Sequence, residues 1–151
     1  MPTHSEKRIM PYTAAEMYAL VADVEHYPEF LPWNSAARIR SRQPLEGGKE
    51  LQVIDLVISF KLFREKFGSR VVLDPALHRI DTEYLDGPFR YLKSWWHFSD
   101  REGGGCEVDF HVDFEFRNFV LQKVIGVVFD EAMRRIVRAF ETRAEVLYPR
   151  R

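Results

Sequence analysis

Two kinds of hydrophobic periodicity divide the chain into a long middle section and a C-terminal helix. From about residue 34 to residue 116, apolar and polar side chains alternate with a period of two, which indicates β-strands. The alternation is clearest in the last strand, predicted over residues 106–116, where every second side chain is apolar. After Asn118 the apolar positions return with helical spacing as far as Tyr148, which predicts one helix of about 30 residues.

The beginning of the chain predicts a strand followed by two short helices. Residues 3–9 fit a short opening strand, and Thr13 with Glu16 matches a capping box, in which the two side chains bind each other's backbone amides. Pro28 then stops the helix and allows at most one more short turn. With about six strands predicted in the middle section, the fold class is α+β, with helices on one face of an antiparallel sheet. A strongly curved sheet and a long helix can enclose a cavity.

Composition and charge exclude several functional classes. The chain has 151 residues, 46% of them hydrophobic, which suits a single domain over residues 1–151 and excludes a disordered chain. A net charge of −1 gives no general basic field for DNA. The lone Cys106 excludes an internal disulfide and a cysteine zinc cluster. Because no signal sequence and no apolar run of ~20 residues is found, we expect a cytoplasmic protein with at most peripheral contact at the inner face of the membrane.

Four segments in the middle of the chain resemble motifs of one family. They are VEHYPEFLPW at residues 24–33, EKFGSRV at 65–71, GPFRYL at 87–92 followed by Trp96 and Phe98, and FEFRN at 114–118. In this order they resemble the coenzyme Q-binding proteins of the START-like, or helix-grip, superfamily. That family includes bacterial ribosome-association toxins. The resemblance implies a curved antiparallel sheet of about six to seven strands wrapped around the long C-terminal helix.

The resemblance also implies an apolar cavity that holds ubiquinone or a related polyisoprenoid lipid, with no cofactor required and no metal or catalytic residue. The side chains expected to form this ligand site are Tyr27, Phe30, Trp33, Ile54, Ile58, Phe60, Phe89, Leu92, Trp96, Phe98, Phe114, Phe129 and Met133. Residue by residue, the same pattern fits an ordinary packed core. A headgroup needs a few polar contacts, for which Tyr27 and Ser94 are candidates. A carrier or chaperone of this kind would support cellular respiration.

Two surface features point to partners other than a small ligand. Arg38, Arg40 and Arg42 alternate along one predicted strand as a comb of positive charge on one face. The comb suits ribosomal RNA phosphates or anionic lipid headgroups, and equally a solvated strand whose charges discourage aggregation. Leu62 and Phe63 lie between two cations at a predicted turn, where they either enter a membrane interface or pack beneath the sheet. The alternative function is a toxin-like translation inhibitor that binds the large ribosomal subunit and blocks subunit association.

The chain carries no recognisable catalytic motif. It has no Gly-x-Ser-x-Gly elbow, phosphate-binding loop or HExxH sequence. His111 lies between Asp109 and Asp113, and a solvated acidic strand explains this cluster better than a metal site. Cyclases and hydrolases occur among START-like folds, but either would need a titratable group in a cavity whose inward positions are almost all apolar. We therefore expect a binding protein rather than an enzyme.

Overall fold

The computed structural model describes residues 3–60 and 63–149, apart from the side chains of Phe60 and Phe63. The strands in this part of the chain are β1 (Thr3–Met10), β2 (Asn34–Pro44), β3 (Glu50–Phe60), β4 (Phe63–Asp74), β5 (Arg79–Asp86), β6 (Phe89–Asp100) and β7 (Cys106–Phe116). The α-helices there are α1 (Ala14–Ala22) and α2 (Phe119–Leu147), and 3₁₀ helices span Val24–Glu29 and Glu46–Gly48. The predicted α+β order, with two short helical segments after the first strand, is confirmed.

The described strands form one curved antiparallel sheet in the order β1-β7-β6-β5-β4-β3-β2. Strands β2 to β7 pair with their neighbours in sequence, whereas β1 pairs with β7 at the other edge of the sheet. Helix α2 follows β7 and crosses the concave face. The Phe129 ring of α2 lies 5.1 Å from the Phe114 ring of β7, and the Phe140 ring lies 5.1 Å from Trp96 of β6, centroid to centroid. The long helix is therefore gripped by the sheet.

Side-chain caps determine where the two α-helices begin. The Thr13 hydroxyl accepts from the Glu16 amide, and the Glu16 carboxylate accepts from the Thr13 amide, each at 3.0 Å, which confirms the predicted capping box. The next backbone amide donates to Asp100 of β6 at 2.8 Å, so the start of α1 is tied to the sheet. Asn118 caps α2 by accepting from the Leu121 amide at 3.0 Å. Each cap satisfies an amide that the first turn of a helix leaves unpaired.

The core is solid at one end of the molecule and open at the other. Around α1 the large side chains of Met10, Tyr12 and Met17 are completely buried. The C-terminal end of α2 packs into this region through fully buried residues, among them Ala144. Nearer its middle, α2 instead presents the partly buried Met133 to a space beside the sheet. The cavity therefore lies under the middle of the long helix, where its lining residues run from Ile125 to Phe140.

Candidate ligand-binding cavity

A cavity of about 260 Å³ lies between the sheet and α2. Its walls are formed by strands β2 to β7, by the inner side of α2, and by the segment that runs from the end of α1 through the first 3₁₀ helix to the loop after it. An apolar space of about 150 Å³ is already enough to hold a benzene ring inside a protein. The cavity therefore has room for a ring together with part of an attached chain.

Nine of the predicted ligand residues line this cavity. They are Tyr27, Trp33, Ile54, Ile58, Phe89, Leu92, Trp96, Phe114 and Met133. Those on strands β3, β6 and β7 reach the same space because side chains on a strand point alternately to its two faces. The period-two pattern thus assigned the inner face of the sheet correctly, while contact of these residues with a ligand stays a prediction.

Three predicted residues are not part of the cavity wall. The Phe30 ring packs against Phe140 at 5.4 Å, and the guanidinium of Arg143 lies over it at 5.3 Å from its centroid. Phe98 is buried in the solid end of the core. Phe129 packs towards β1, where the centroid of its ring lies 6.3 Å from the centroid of the His4 ring. These side chains face inward as expected, but they fill core or cover helix α2 instead of bounding the space.

Three further predictions cannot be placed in the same way. Leu62 lies outside the described residues, as do the side chains of Phe60 and Phe63. The role of Phe60 in the ligand site, and that of Leu62 and Phe63 at a membrane or partner surface, therefore stay predictions.

Tyr27 contributes a ring to the cavity wall, but its hydroxyl already has a partner. The hydroxyl donates to the backbone carbonyl of Val21 in α1, and the ring meets Phe140 edge-on at 5.4 Å. Burial, reinforced by the nearby Asp23 carboxylate, raises the pKa of Tyr27 well above its ordinary value, so the phenol stays neutral. Tyr27 thereby fastens the 3₁₀ helix Val24–Glu29 to α1. Its hydroxyl is not free to donate to a headgroup, contrary to our expectation.

Polar side chains in the cavity are concentrated on its sheet side. Asn34, Gln52, Ser69, Thr82 and Ser94 line it from strands β2, β3, β4, β5 and β6 in turn. Of these side chains, the sequence-based expectation includes only Ser94, since inward positions of a strand are normally apolar. The signal for the others was present: Gln52, for example, stands two residues before the inward-facing Ile54 and shares its parity.

Trp33 holds a backbone conformation that is rare for a bulky residue. Its φ angle is +62°, in the left-handed region, where a residue with a large side chain is strained by about 1–3 kcal/mol. The surrounding sheet holds this turn in place, since the Trp33 carbonyl accepts from the Ser59 amide of β3 at 2.8 Å. The strained turn places an indole ring in the cavity wall.

A β-bulge divides the predicted arginine comb between the two faces of the sheet. The register of β2 against β3 shifts at Arg40, so that Arg42 pairs with Gln52 of the cavity wall. Arg42 thus lies on the inner face, where its Nη2 atom is 3.9 Å from the Oε1 atom of Glu25 in the 3₁₀ helix. Arg38 and Arg40 stay on the outer face. The prediction that all three share one face was wrong, because alternation along a sequence does not reveal a bulge.

The two outer arginines bind a buried carboxylate. Asp55, with 5% of its side chain exposed, accepts from Arg40 Nε at 2.8 Å and from Arg38 Nη2 at 3.2 Å. The Arg40 hydrogen bond, helped by Arg38, holds the pKa of Asp55 below its ordinary value. Arg40 also reaches Asp86 of β5 at 3.2 Å, crossing Gly68, where a Cβ would collide with the guanidinium. Arg40 therefore stabilises the sheet by joining two carboxylates on different strands. By contrast, 69% of the Arg38 side chain remains exposed.

The described side chains of the cavity wall are uncharged. Among the described residues that line it, Tyr27 is the one titratable group. In the same part of the chain, no cluster of three or more His, Cys, Asp or Glu side chains could hold a metal ion. The wall can bury apolar surface and form hydrogen bonds with uncharged polar atoms. None of the described helices combines the length with the hydropathy that a membrane-spanning segment requires.

A long helix gripped by a curved sheet around an apolar cavity defines a class of proteins that enclose hydrophobic molecules. Residues 10–141 match the family described as polyketide cyclase / dehydrase and lipid transport, and the chain belongs to this family. The START-like, helix-grip fold expected from the sequence is thereby confirmed.

Individual relatives carry two kinds of name. A Rickettsia prowazekii (strain Madrid E) protein named ribosome association toxin RatA is 38% identical over 148 residues, which are 96% of this chain and 97% of that protein. The coenzyme Q-binding protein COQ10 homolog B, mitochondrial, of Xenopus laevis is 31% identical over 97% of this chain and 59% of that protein. The solution structure of the 18 kDa protein CC1736 from Caulobacter crescentus, 32% identical, superimposes with a TM-score of 0.81 over 97% of this chain and 98% of that chain. The resemblance to coenzyme Q-binding and ribosome-association proteins is confirmed.

Proposed function

We propose that the protein binds ubiquinone or a related polyisoprenoid lipid in the cavity between the sheet and α2, without catalysing a reaction. The observation that carries this proposal is the cavity itself, whose wall is mainly aromatic and aliphatic and has room for a ring and part of a chain. The name of the Xenopus laevis relative, a coenzyme Q-binding protein, agrees with this ligand class.

Burial of the isoprenoid tail supplies the binding energy in this proposal. Each CH₂ group withdrawn from water contributes about 0.8 kcal/mol, so one five-carbon isoprene unit contributes about 4 kcal/mol. Association costs about 4–15 kcal/mol in lost freedom of motion. Two buried isoprene units, about 8 kcal/mol, therefore offset the lower part of this cost, and burial of the ring adds to the favourable side. The rest of a long tail can remain outside the cavity.

The biological role that follows is that of a carrier or chaperone for a respiratory quinone. Such a protein takes its ligand from a bilayer and returns it there, which requires peripheral contact with the inner face of a membrane from the cytoplasmic side. We propose the loop containing Trp33 and the N-terminal half of α2 as the gate, because both border the cavity.

A substitution that fills the cavity tests the proposal. Ala132 is a buried residue of α2 in the cavity wall, whereas Ala139 is a half-buried residue of the same helix outside it. We expect Ala132→Phe to abolish binding of a short-chain ubiquinone, measured by titration calorimetry, and Ala139→Phe to leave it unchanged. Both variants must keep the far-ultraviolet circular dichroism of the parent protein. Equal binding by the folded Ala132→Phe variant would place the ligand elsewhere and refute the proposal.

The second candidate function is binding to the large ribosomal subunit with inhibition of subunit association. The relatives named ribosome association toxin favour it, the one from Rickettsia prowazekii being more similar to this chain than the Xenopus laevis protein. Of the arginine comb, Arg38 is the member of the outer face that remains mostly exposed. The two functions use different parts of the molecule, the cavity and the outer surface, so one does not exclude the other.

A subunit assay separates this candidate from a structural role of the arginines. We expect salt-sensitive co-sedimentation with the large subunit that weakens when Arg38 is changed to Glu. Arg40 is unsuitable for this test, since its loss would leave Asp55 with a weakened ion pair and would disturb the sheet. Co-sedimentation that is unaffected by Arg38→Glu and by salt would remove this surface from the proposal.

A further inference from the structure

The Ser69 hydroxyl is a buried polar group without a partner. The residue is 1% exposed, and its Oγ atom has no hydrogen-bond partner among the described residues. The side chain lies in the cavity wall on strand β4. Leaving a buried hydroxyl unpaired costs free energy, and protein interiors rarely tolerate it without a reason. A ligand atom in the cavity would supply the missing partner.

Two more hydroxyls lie beside Ser69 on the same wall. Thr82 of β5 pairs directly with Ser94 of β6, which brings their Cβ atoms to about 4.5–5.5 Å. Ser69 pairs with Tyr84, two residues after Thr82, so Ser69 and Thr82 are diagonal neighbours on the cavity face, about 7–8 Å apart. All three side chains line the cavity. We call Ser69, Thr82 and Ser94 the hydroxyl cluster.

The opposite wall has no comparable groups. The residues of α2 that line the cavity are Ile125, Ala132, Met133, Ile136 and Phe140. The hydroxyl cluster is therefore a polar patch on a sheet wall that is otherwise mainly aromatic and aliphatic, and the helix wall is apolar throughout its described lining residues. A ligand that satisfies both the patch and the apolar surface has oxygen atoms at one end and hydrocarbon at the other.

Charge limits the ligand further. Tyr27 is the one titratable residue described in the wall, and burial raises its pKa, so it stays uncharged. A carboxylate or phosphate buried here would have no counter-charge, which is strongly unfavourable. Neutral oxygen atoms such as quinone carbonyls meet no such penalty and accept hydrogen bonds from hydroxyls.

We infer that the hydroxyl cluster is the subsite for a neutral, carbonyl-bearing ring, whose head lies against strands β4 to β6 while its hydrocarbon tail runs along α2. This inference rests on the proposed function and adds to it the orientation of the ligand and the exclusion of anionic lipids. The cluster fixes the head through hydrogen bonds, and the apolar wall holds the tail without specificity for its length.

The experiment compares three probes by titration calorimetry: ubiquinone with one isoprene unit, the prenyl-benzene hydrocarbon without oxygen atoms, and decanoate. We expect the unaltered protein to bind the quinone most tightly and decanoate not at all. Ser69→Ala and Thr82→Val each weaken quinone binding about fivefold, the effect of one lost hydrogen bond, and change hydrocarbon binding by less than about twofold. Ser99→Ala, at an exposed position of β6 outside the cavity, is the matched control and changes neither.

The outcomes separate this inference from the function on which it rests. If the quinone and the hydrocarbon bind equally well, or if neither hydroxyl variant weakens quinone binding selectively, the hydroxyl cluster is not the head subsite and the cavity function stands. Decanoate binding as tight as quinone binding would overturn the exclusion of anions. If the unaltered protein binds neither the quinone nor the hydrocarbon, the proposed function fails together with the inference. Ser69→Ala keeps the fold, because it removes an unpaired hydroxyl, and an unchanged thermal midpoint verifies this.

Discussion

The ion pair of Asp55 with the outer arginines should contribute measurably to stability, and Asp55→Asn tests this. In the native protein the carboxylate accepts from Arg40 and Arg38, and Lys66 lies 3.8 Å away. Asparagine keeps an acceptor oxygen but removes the charge that faces these three cations. A hydrogen bond to a charged group is worth about 1.5–3 kcal/mol, and removal of one partner from a fully buried pair costs about 3–5 kcal/mol.

The expected loss for Asp55→Asn lies at the lower end of this range, at about 2 kcal/mol. Arg40 is one-third exposed and keeps Asp86 as a partner, so water and the second carboxylate compensate in part. For a chain of this size, such a loss lowers the thermal midpoint by about 4–8 °C. Urea unfolding at pH 7 measures the free energy, and the slope against urea should not change. Asp86→Asn, at an exposed partner of the same guanidinium, is the control and should cost less than about 1 kcal/mol.

The pH dependence of this loss is a second, independent readout. Because the folded state lowers the pKa of Asp55 below its ordinary value of 3.8, the ion pair stabilises the protein fully above that value. The stabilisation disappears as the pH falls through the lower pKa of the folded state. The difference between the parent protein and Asp55→Asn should thus be constant from pH 7 to pH 5 and shrink below about pH 4. A difference under about 0.5 kcal/mol at pH 7, or one that persists unchanged at pH 3, would show that the charge of Asp55 does not stabilise the fold through these arginines.

Three further predictions concern the core. Phe140→Ala should lower the free energy of unfolding in urea by about 3–5 kcal/mol, because it removes a ring that is 2% exposed. The control Phe119→Ala, at a ring that is 71% exposed, should cost less than about 0.5 kcal/mol. Similar losses in the two variants would contradict the packing described. Burial raises the pKa of the Cys106 thiol to about 11, so a thiol reagent at pH 7 should label it only as fast as the protein unfolds. Rapid labelling of the folded protein would show that Cys106 is not buried. Tyr27→Phe leaves the Val21 carbonyl without its side-chain donor and should cost about 1 kcal/mol in thermal unfolding, and a stabilised variant would argue against that bond.

The strands and the long helix could be predicted from the sequence because their burial follows simple periods. Alternation in residues 106–116 matches the burial of β7, where every second residue from Cys106 to Phe116 is buried. The capping box was equally readable, since Thr13 and Glu16 act within one turn of the chain. These features depend on local geometry, which the order of residues determines directly.

Other parts of the site depend on tertiary contacts that no local pattern contains. The bulge at Arg40 changes the face of every later residue of β2, and it follows from the pairing with β3 rather than from the sequence of β2. Phe129 and Met133 are both inward-facing on α2, yet only Met133 borders the cavity, because the direction of each side chain depends on how the helix lies in the sheet. The partner of the Tyr27 hydroxyl, a backbone carbonyl of α1, depends in the same way on the packing of two helices.

Binding of a quinone in the cavity is tested most directly by organic extraction and mass spectrometry of the protein, purified from its own host without detergent. We expect an isoprenoid quinone in near-stoichiometric amount in the parent protein and in Ala139→Phe, and none in folded Ala132→Phe. An extract without quinone, from protein that also fails to take up added short-chain ubiquinone, would show that the cavity does not bind this ligand.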